Sequence, residues 1–116
     1  MARLEAVAFQ AANWHVVDTT VDAVCSAVRA AEAGHRHLIT GWTVSTSKTP
    51  INSGTLCVKD GADVIEQVEI NSDSPNPLRS SERWLLSPGA AALITVSALG
   101  AAIQATVVLH GCTVDA

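Results

Sequence analysis

Histidines are the side chains of this sequence with the clearest metal-binding potential. His35 and His37 are two residues apart, so on a β-strand they share one face and could bind a metal with a third ligand such as His15 or His110. No acidic residue lies between them or directly beside them. We therefore expect surface or half-buried polar positions at the start of a strand, and no metal site.

The cysteines give no stronger signal for a metal. Cys25, Cys57 and Cys112 are odd in number and widely spaced, and no CxxC pair is present, so a structural zinc site has no support. The pattern favours three buried thiols in a reducing compartment. A single disulfide between two of them is the alternative.

Nucleophilic catalysis needs an activated serine or cysteine with a base and an orienting acid. The serines cluster in loop-like segments, and the sequence contains no GxSxG turn and no glycine-rich phosphate loop. Solvation of a hairpin explains the acidic group Asp60, Asp63, Glu66 and Glu69 better than calcium does. We expect no catalytic residue and no cofactor, and an enzyme is the last of the functions considered.

Composition and net charge limit the kinds of partner that this chain is expected to bind. The 116 residues suffice for one domain, with 48% apolar and 16% charged residues. Either the surface is rich in uncharged Ser and Thr, or apolar surface is buried against a partner. Net charge is −4 and the seven Lys and Arg residues are scattered, so no basic face for nucleic acid is expected.

Neither a secretory signal nor a membrane span is expected. The segment 1–10 lacks a long apolar run. No charged residue lies between Arg83 and Asp115, and the part from Gly89 to Leu109 has about the length of a membrane span. Polar residues recur within it, however, and it breaks near Gly100. Two buried strands are the better prediction.

The chain consists of short β-type runs between turn signals, the pattern of a sandwich or barrel. The clearest strand is 36–46, in which Leu38, Thr40, Trp42 and Val44 share a face, and Leu38, Trp42 and Val44 are predicted to point into the core. Other predicted strands are 4–9, 14–18, 55–59, 64–70, 83–86, 92–99 and 103–114.

Three further segments have distinct signatures. Asp60-Gly61 between 55–59 and 64–70 indicates a tight hairpin. The segment Asn71 to Arg79, with Pro75 and Pro77, indicates a crossing loop. The segment from Thr20 to Glu32 is ambiguous: its apolar spacing slightly favours a helix, whereas a sandwich needs a strand there.

Tryptophans are the main large aromatic residues. The alternation places Trp42 in the core, whereas Trp14 and Trp84 fit either the core or an oligomer contact.

Three segments resemble a known family when they are taken in order: 30–45 (AAEAGHRHLITGWTVS), 56–65 (LCVKDGADVI) and 75–79 (PNPLR), followed by a strand ending in 92–96 (ALITV). This order is similar to small structural proteins of tailed-bacteriophage virions. The resemblance covers about residues 20 to 114 and implies an all-β fold, a jelly-roll-like antiparallel β-sandwich of about seven to eight strands. It also favours a strand over a helix for 23–31.

The implied function is decoration and cementing of the capsid shell. Such a protein would sit on the outer surface of the virion, after synthesis in the host cytoplasm, as a trimer or dimer that clamps neighbouring major capsid protein subunits. We expect residues 1–13 to form an N-terminal arm or first strand and 14–116 a single sandwich domain. The expected interface includes the arm and the loop from Asn71 to Arg79, in particular Pro75, Pro77, Leu78 and Arg79, with Trp14 and Trp84.

Two other non-catalytic functions remain open. A tail or head-fibre component would differ in copy number per particle. A carbohydrate-binding β-sandwich module would expose Trp14 or Trp84 as a stacking platform.

Overall fold

A computed structural model describes residues 13–116 of the chain. Within that range all regular structure is β, and no helix is long and apolar enough to cross a membrane. The predicted strand at 4–9 and all of the predicted arm except Asn13 lie outside the described residues. The strands are β1 (Asn13–Val21), β2 (Cys25–Arg29), β3 (His35–Thr46), β4 (Gly54–Asp60), β5 (Asp63–Ile70), β6 (Leu78–Ser80), β7 (Trp84–Leu85), β8 (Ala92–Val96) and β9 (Gln104–Asp115).

The strands form two antiparallel sheets. Sheet A has the order β1-β9-β3-β6, with β7 also paired to β3, and sheet B has the order β2-β8-β4-β5. The chain passes repeatedly from one sheet to the other, and its last long strand, β9, lies between β1 and β3. This order is the two-Greek-key connection of a jelly roll. The predicted all-β, jelly-roll-like sandwich is confirmed.

Packing of the two inner faces explains why the ambiguous segment becomes a strand. Cys25 and Ala27 of β2 are buried, whereas Val28, the next residue along the strand, is exposed on the opposite side. Pairing of β2 with β8 places that buried pair over the core. Tertiary packing therefore outweighs the local helical spacing.

A β-bulge corrects one prediction about the core. The register between β3 and β9 shifts between Ile39 and Gly41, so that Thr40 is the extra residue. The bulge reverses the alternation, and Ile39 becomes buried on the same side as Trp42 and Val44. Leu38 was predicted to point inward and is only partly buried, on the other side of the sheet.

Two further strand predictions are confirmed and one is wrong. Gly61 has a φ of 60° at the turn between β4 and β5, as a tight hairpin turn needs. The long uncharged stretch forms the separate strands β8 and β9, as predicted in place of a membrane span. The predicted loop ending at Arg79, however, contains β6, because Leu78 pairs with Val44 and extends sheet A.

The core lies between the sheets and is built mainly from alternate residues of the central strands. Ile39, Leu56, Ile94 and Leu109 are fully buried, and each comes from a different strand. The opposite side chains of the same strands form two outer faces, one on each sheet. Those outer faces are where side chains meet solvent and can meet a ligand.

Candidate functional site

His37 lies in the interior, whereas a surface or half-buried position was predicted. It is 1% exposed, and both ring nitrogens have partners, each 2.8 Å away: Nε2 donates to the Ala30 carbonyl oxygen, and Nδ1 contacts the Thr113 hydroxyl. The Trp14 indole N–H donates to that same hydroxyl at 3.0 Å. The Thr113 hydroxyl can therefore accept from Trp14 and donate to Nδ1, which satisfies the whole group. We call Trp14, His37 and Thr113 the His37 cluster.

His35, the neighbour of His37 in the sequence pattern, is half-buried and points to other groups. Its Nε2 lies 3.4 Å from a carboxylate oxygen of Asp115, and its Nδ1 lies 3.1 Å from the Ala33 carbonyl. His35 and His37 thus have separate partners within the protein. Within residues 13–116, no three His, Cys, Asp or Glu side chains lie close enough together to hold a metal ion.

The tryptophans expected as a platform or an oligomer contact are turned toward the core. Trp14 is half-buried, lies edge-on to His37 with ring centroids 5.6 Å apart, and has the Arg29 guanidinium 5.7 Å from its ring centroid. Trp84 is half-buried as well. Its indole N–H and that of Trp42 both donate to one carboxylate oxygen of Glu66, at 3.3 and 3.2 Å. The predicted core position of Trp42 is confirmed at 3% exposure.

The two indole hydrogen bonds explain why a charged residue, Glu66, occupies an inward position of its strand and interrupts the apolar alternation. Glu66 lies on edge strand β5, and its side chain points into the space between the two sheets. It faces the edge of sheet A that is formed by β6 and β7. We call Glu66, Trp42 and Trp84 the Glu66 cluster. It closes the gap between the sheets at this edge.

Residues of the predicted interface loop differ in their surroundings. Pro75 and Pro77 are exposed, and Leu78 is half-buried against the core. A small cavity of about 60 Å³ lies between this loop and the end of β3, lined in part by Pro75 and Leu78. It has room for only a few water molecules. The interface assigned to Trp14, Pro75, Pro77, Leu78, Arg79 and Trp84 stays a prediction.

Arg79, by contrast, borders a larger open depression on the outer face of sheet A. The depression has a volume of about 480 Å³ and is lined by Thr40, Gly41, Trp42, Thr43, Arg79, Ser80, Ser81 and His110. We call it the Arg79 depression. Its volume falls within the roughly 300–1,000 Å³ of small-molecule sites.

Strand register brings these residues together from distant parts of the chain. Gly41 pairs with His110, and Thr43 pairs with both Val108 and Arg79. Side chains directly opposite each other on neighbouring strands have Cβ atoms about 5 Å apart. Arg79 and His110 therefore flank the strand that carries Gly41 and Thr43, and the long arginine side chain can reach across it.

The bulge in β3 shapes the floor of the depression. After Gly41, the side chains of β3 again alternate regularly between the two faces of the sheet. A Cβ atom at position 41 would lie only 2.8 Å from the Ser80 carbonyl oxygen. Glycine is therefore required for the close approach of the backbone after β6. A glycine inside a strand pattern is the one sequence signal that could have indicated this feature.

His15 extends the polar row beside the depression. It pairs with His110 across β1 and β9, and the two imidazole centroids are 6.3 Å apart. Both rings are exposed. In the sequence, His15 and His110 stand out only as a third metal ligand beside His35 and His37, which face the opposite side of the sheet.

Cysteines take no part in the depression. Cys25, Cys57 and Cys112 are all free thiols, as predicted, although Cys57 is only half-buried. Burial raises the pKa of the Cys25 and Cys112 thiols, so little reactive thiolate forms there.

No protein-family model matches this chain, and no curated protein sequence matches it significantly. The solved structures that resemble the fold include the following two. One is the CBM36-1 domain of a multidomain xylanase from the hindgut metagenome of Trinervitermes trinervoides, at 10% identity and a TM-score of 0.39, over 86% of this chain and 77% of that one. The other is TmCBM61 in complex with β-1,4-galactotriose, at 17% identity and a TM-score of 0.38, over 90% of this chain and 69% of that one.

Proposed function

We propose that this domain is a non-catalytic carbohydrate-binding module whose ligand lies in the Arg79 depression. The observation that supports the proposal is the lining itself, in which hydroxyl, imidazole and guanidinium groups converge around an open floor. Serine and threonine hydroxyls both donate and accept hydrogen bonds, as sugar hydroxyls do. An open site on the face of a sheet also admits a chain that continues at both ends.

Binding at this site depends on hydrogen bonds and not on aromatic stacking. Trp42 contributes to the lining but is 3% exposed, so its ring offers no stacking surface. Trp14 and Trp84 donate their indole N–H groups to partners inside the protein. Each hydrogen bond exchanged with water contributes only about 0.5–1.5 kcal/mol. We therefore expect weak affinity for single sugars and tighter binding of longer chains.

Titration of isotope-labelled domain with neutral and acidic oligosaccharides, followed by NMR, tests the proposal. Backbone signals should shift at 40–43, 79–81 and 110. Thr43→Phe should reduce binding at least about tenfold because the larger side chain fills the depression. Thr95→Phe is the matched control, since Thr95 is also half-buried and lies on the outer face of sheet B.

Two results would contradict the carbohydrate-binding proposal. One is an absence of binding across a broad set of oligosaccharides. The other is equal loss of binding in the Thr43→Phe and Thr95→Phe variants, which would place the ligand elsewhere. Circular dichroism of both variants verifies that the sandwich is intact.

A second candidate is the capsid-cementing function, with the major capsid protein and further copies of this chain as partners. The surface that such a contact would cover is the outer side of β1, where Val17 and Val21 are 54% and 57% exposed. Uncharged apolar surface of this kind suits coverage by another protein. This candidate predicts a dimer or trimer in light scattering, and binding to capsids that lack the protein. A monomer that does not bind such capsids would rule it out.

A further inference from the structure

We infer that the Arg79 depression selects acidic sugars, which carry a carboxylate or a sulfate group, over their neutral counterparts. This inference rests on the proposed carbohydrate-binding function and adds the chemical class of the ligand. The observations that carry it are the Arg79 guanidinium at the rim of the depression and, within residues 13–116, the absence of carboxylates from the outward positions of the sheet A strands.

Basic side chains on this face come from several strands of sheet A. Arg79 is exposed at the rim of the depression, and His110 lines it from the neighbouring strand β9. His15 stands next to His110 in the same row. Arg36 is also on this face, but its Nε already donates to the Leu86 carbonyl oxygen at 2.8 Å. Arg79 is the arginine that lines the depression, whereas Arg36 and the exposed Arg83 do not line it.

Carboxylates are missing from the outward positions of the sheet A strands, although the chain has 11 Asp and Glu residues against seven Lys and Arg. Asp18 of β1 points inward, where it accepts a hydrogen bond from the Ser26 backbone at 2.9 Å. Glu82 follows the depression in sequence but does not line it. No acidic group of the lining therefore competes for the guanidinium.

Arg79 takes no part in the ion pairs formed within residues 13–116. They join Arg29 to Glu32, and His35 to Asp115 when that histidine is protonated. An arginine guanidinium forms two parallel hydrogen bonds with a carboxylate or sulfate group, and such charge-assisted bonds are about twice as strong as neutral ones. A neutral sugar at the same place would give up this contribution.

The outer face of sheet B shows that this arrangement is not general to the surface. Its outward positions include Lys59 and Glu69, one charge of each sign. Lys59 is thus a cationic residue on the opposite face, and it provides a control for any effect of removing one positive charge from the domain.

The test uses matched pairs of immobilised oligosaccharides, each with the same linkage: a hexuronate chain with its parent hexose chain, and a sulfated chain with its unsulfated form. We expect the wild-type domain to bind at least one acidic member about tenfold more tightly than its neutral counterpart. Arg79→Gln should remove that preference, so that the variant binds the acidic and neutral members of each pair about equally. Lys59→Gln should retain the preference. The hexuronate and sulfate pairs show which acidic group is recognised.

Outcomes separate this inference from the function on which it rests. Equal binding of acidic and neutral members by the wild-type domain overturns the acidic selectivity and leaves the carbohydrate-binding function standing. A preference that Arg79→Gln and Lys59→Gln weaken equally also overturns it, because the effect would then come from net charge. Failure to bind any oligosaccharide overturns both.

Discussion

The His37 cluster and the Arg79 depression lie on opposite faces of the same two strands. β3 carries His37 inward and Thr43 outward, and β9 carries Thr113 inward and His110 outward. Inside, each polar group has a partner in the protein. Outside, the imidazole and guanidinium groups face solvent. Similar residue types therefore serve the fold on one face and remain available for a ligand on the other.

Replacement of the two histidines gives the largest expected contrast. His37→Ala should lower the free energy of unfolding by about 2–4 kcal/mol, because it leaves a cavity and removes partners from the Ala30 carbonyl and the Thr113 hydroxyl. His110→Ala should change it by less than about 0.5 kcal/mol, since the ring is exposed. Urea denaturation of the three proteins measures both values. Equal losses would contradict the assignment of His37 to the fold and His110 to the surface.

Glu66 is an intermediate case, half-buried at the edge between the sheets. Glu66→Ala should cost about 1–2 kcal/mol, because the Trp42 and Trp84 indoles lose their acceptor. Glu66→Gln should cost less, as the amide oxygen still accepts. The control is Glu69→Ala on the outward side of the same strand, where a change below about 0.5 kcal/mol is expected.

If Glu66→Ala is no more destabilising than Glu69→Ala, the two indole hydrogen bonds to Glu66 do not stabilise the fold. Tryptophan fluorescence of the folded Glu66 variants adds an independent readout, since only the loss of a carboxylate beside two indoles should shift the emission. Glu66→Ala and Glu66→Gln should therefore both shift the emission, and Glu69→Ala should not.

Alternation and turn chemistry are local, so they predicted β-strands in a sandwich or barrel, whereas the jelly-roll-like fold and the strand at 23–31 were implied by the resemblance. The Asp60-Gly61 hairpin and the core position of Trp42 were predicted from spacing alone and are confirmed. The bulge at Thr40 was missed, since one extra residue changes which side chains share a face without changing the strand pattern. That error placed Leu38 in the core and left His37 near the surface.

The candidate site could not be predicted in the same way. Its residues come from three segments, around Thr43, Arg79 and His110, which only the jelly-roll order brings together. The resemblance drew attention to Arg79 as an interface residue, but nothing local linked it to His110. The histidine pair suggested by close spacing, His35 and His37, is engaged within the protein, whereas the pair formed across strands is His15 and His110.

The smallest expected difference concerns the exposed valines of the two outer faces. Val17 on sheet A is 54% exposed and Val28 on sheet B is 49% exposed. In an isolated domain, Val17→Asp and Val28→Asp should each cost less than about 1 kcal/mol, mainly through the lower strand propensity of aspartate. Matching values from urea denaturation would show that neither valine is covered.

Val17→Asp also tests the two proposed functions against each other. Val17 lies in the row that continues through Val108 and Thr43 to Arg79. Its replacement places a carboxylate on a face whose outward positions have none, so binding of acidic sugars should weaken while binding of neutral sugars changes little. If the outer side of β1 is instead covered by another copy of the chain, Val17→Asp should dissociate the oligomer in light scattering, and Val28→Asp should not.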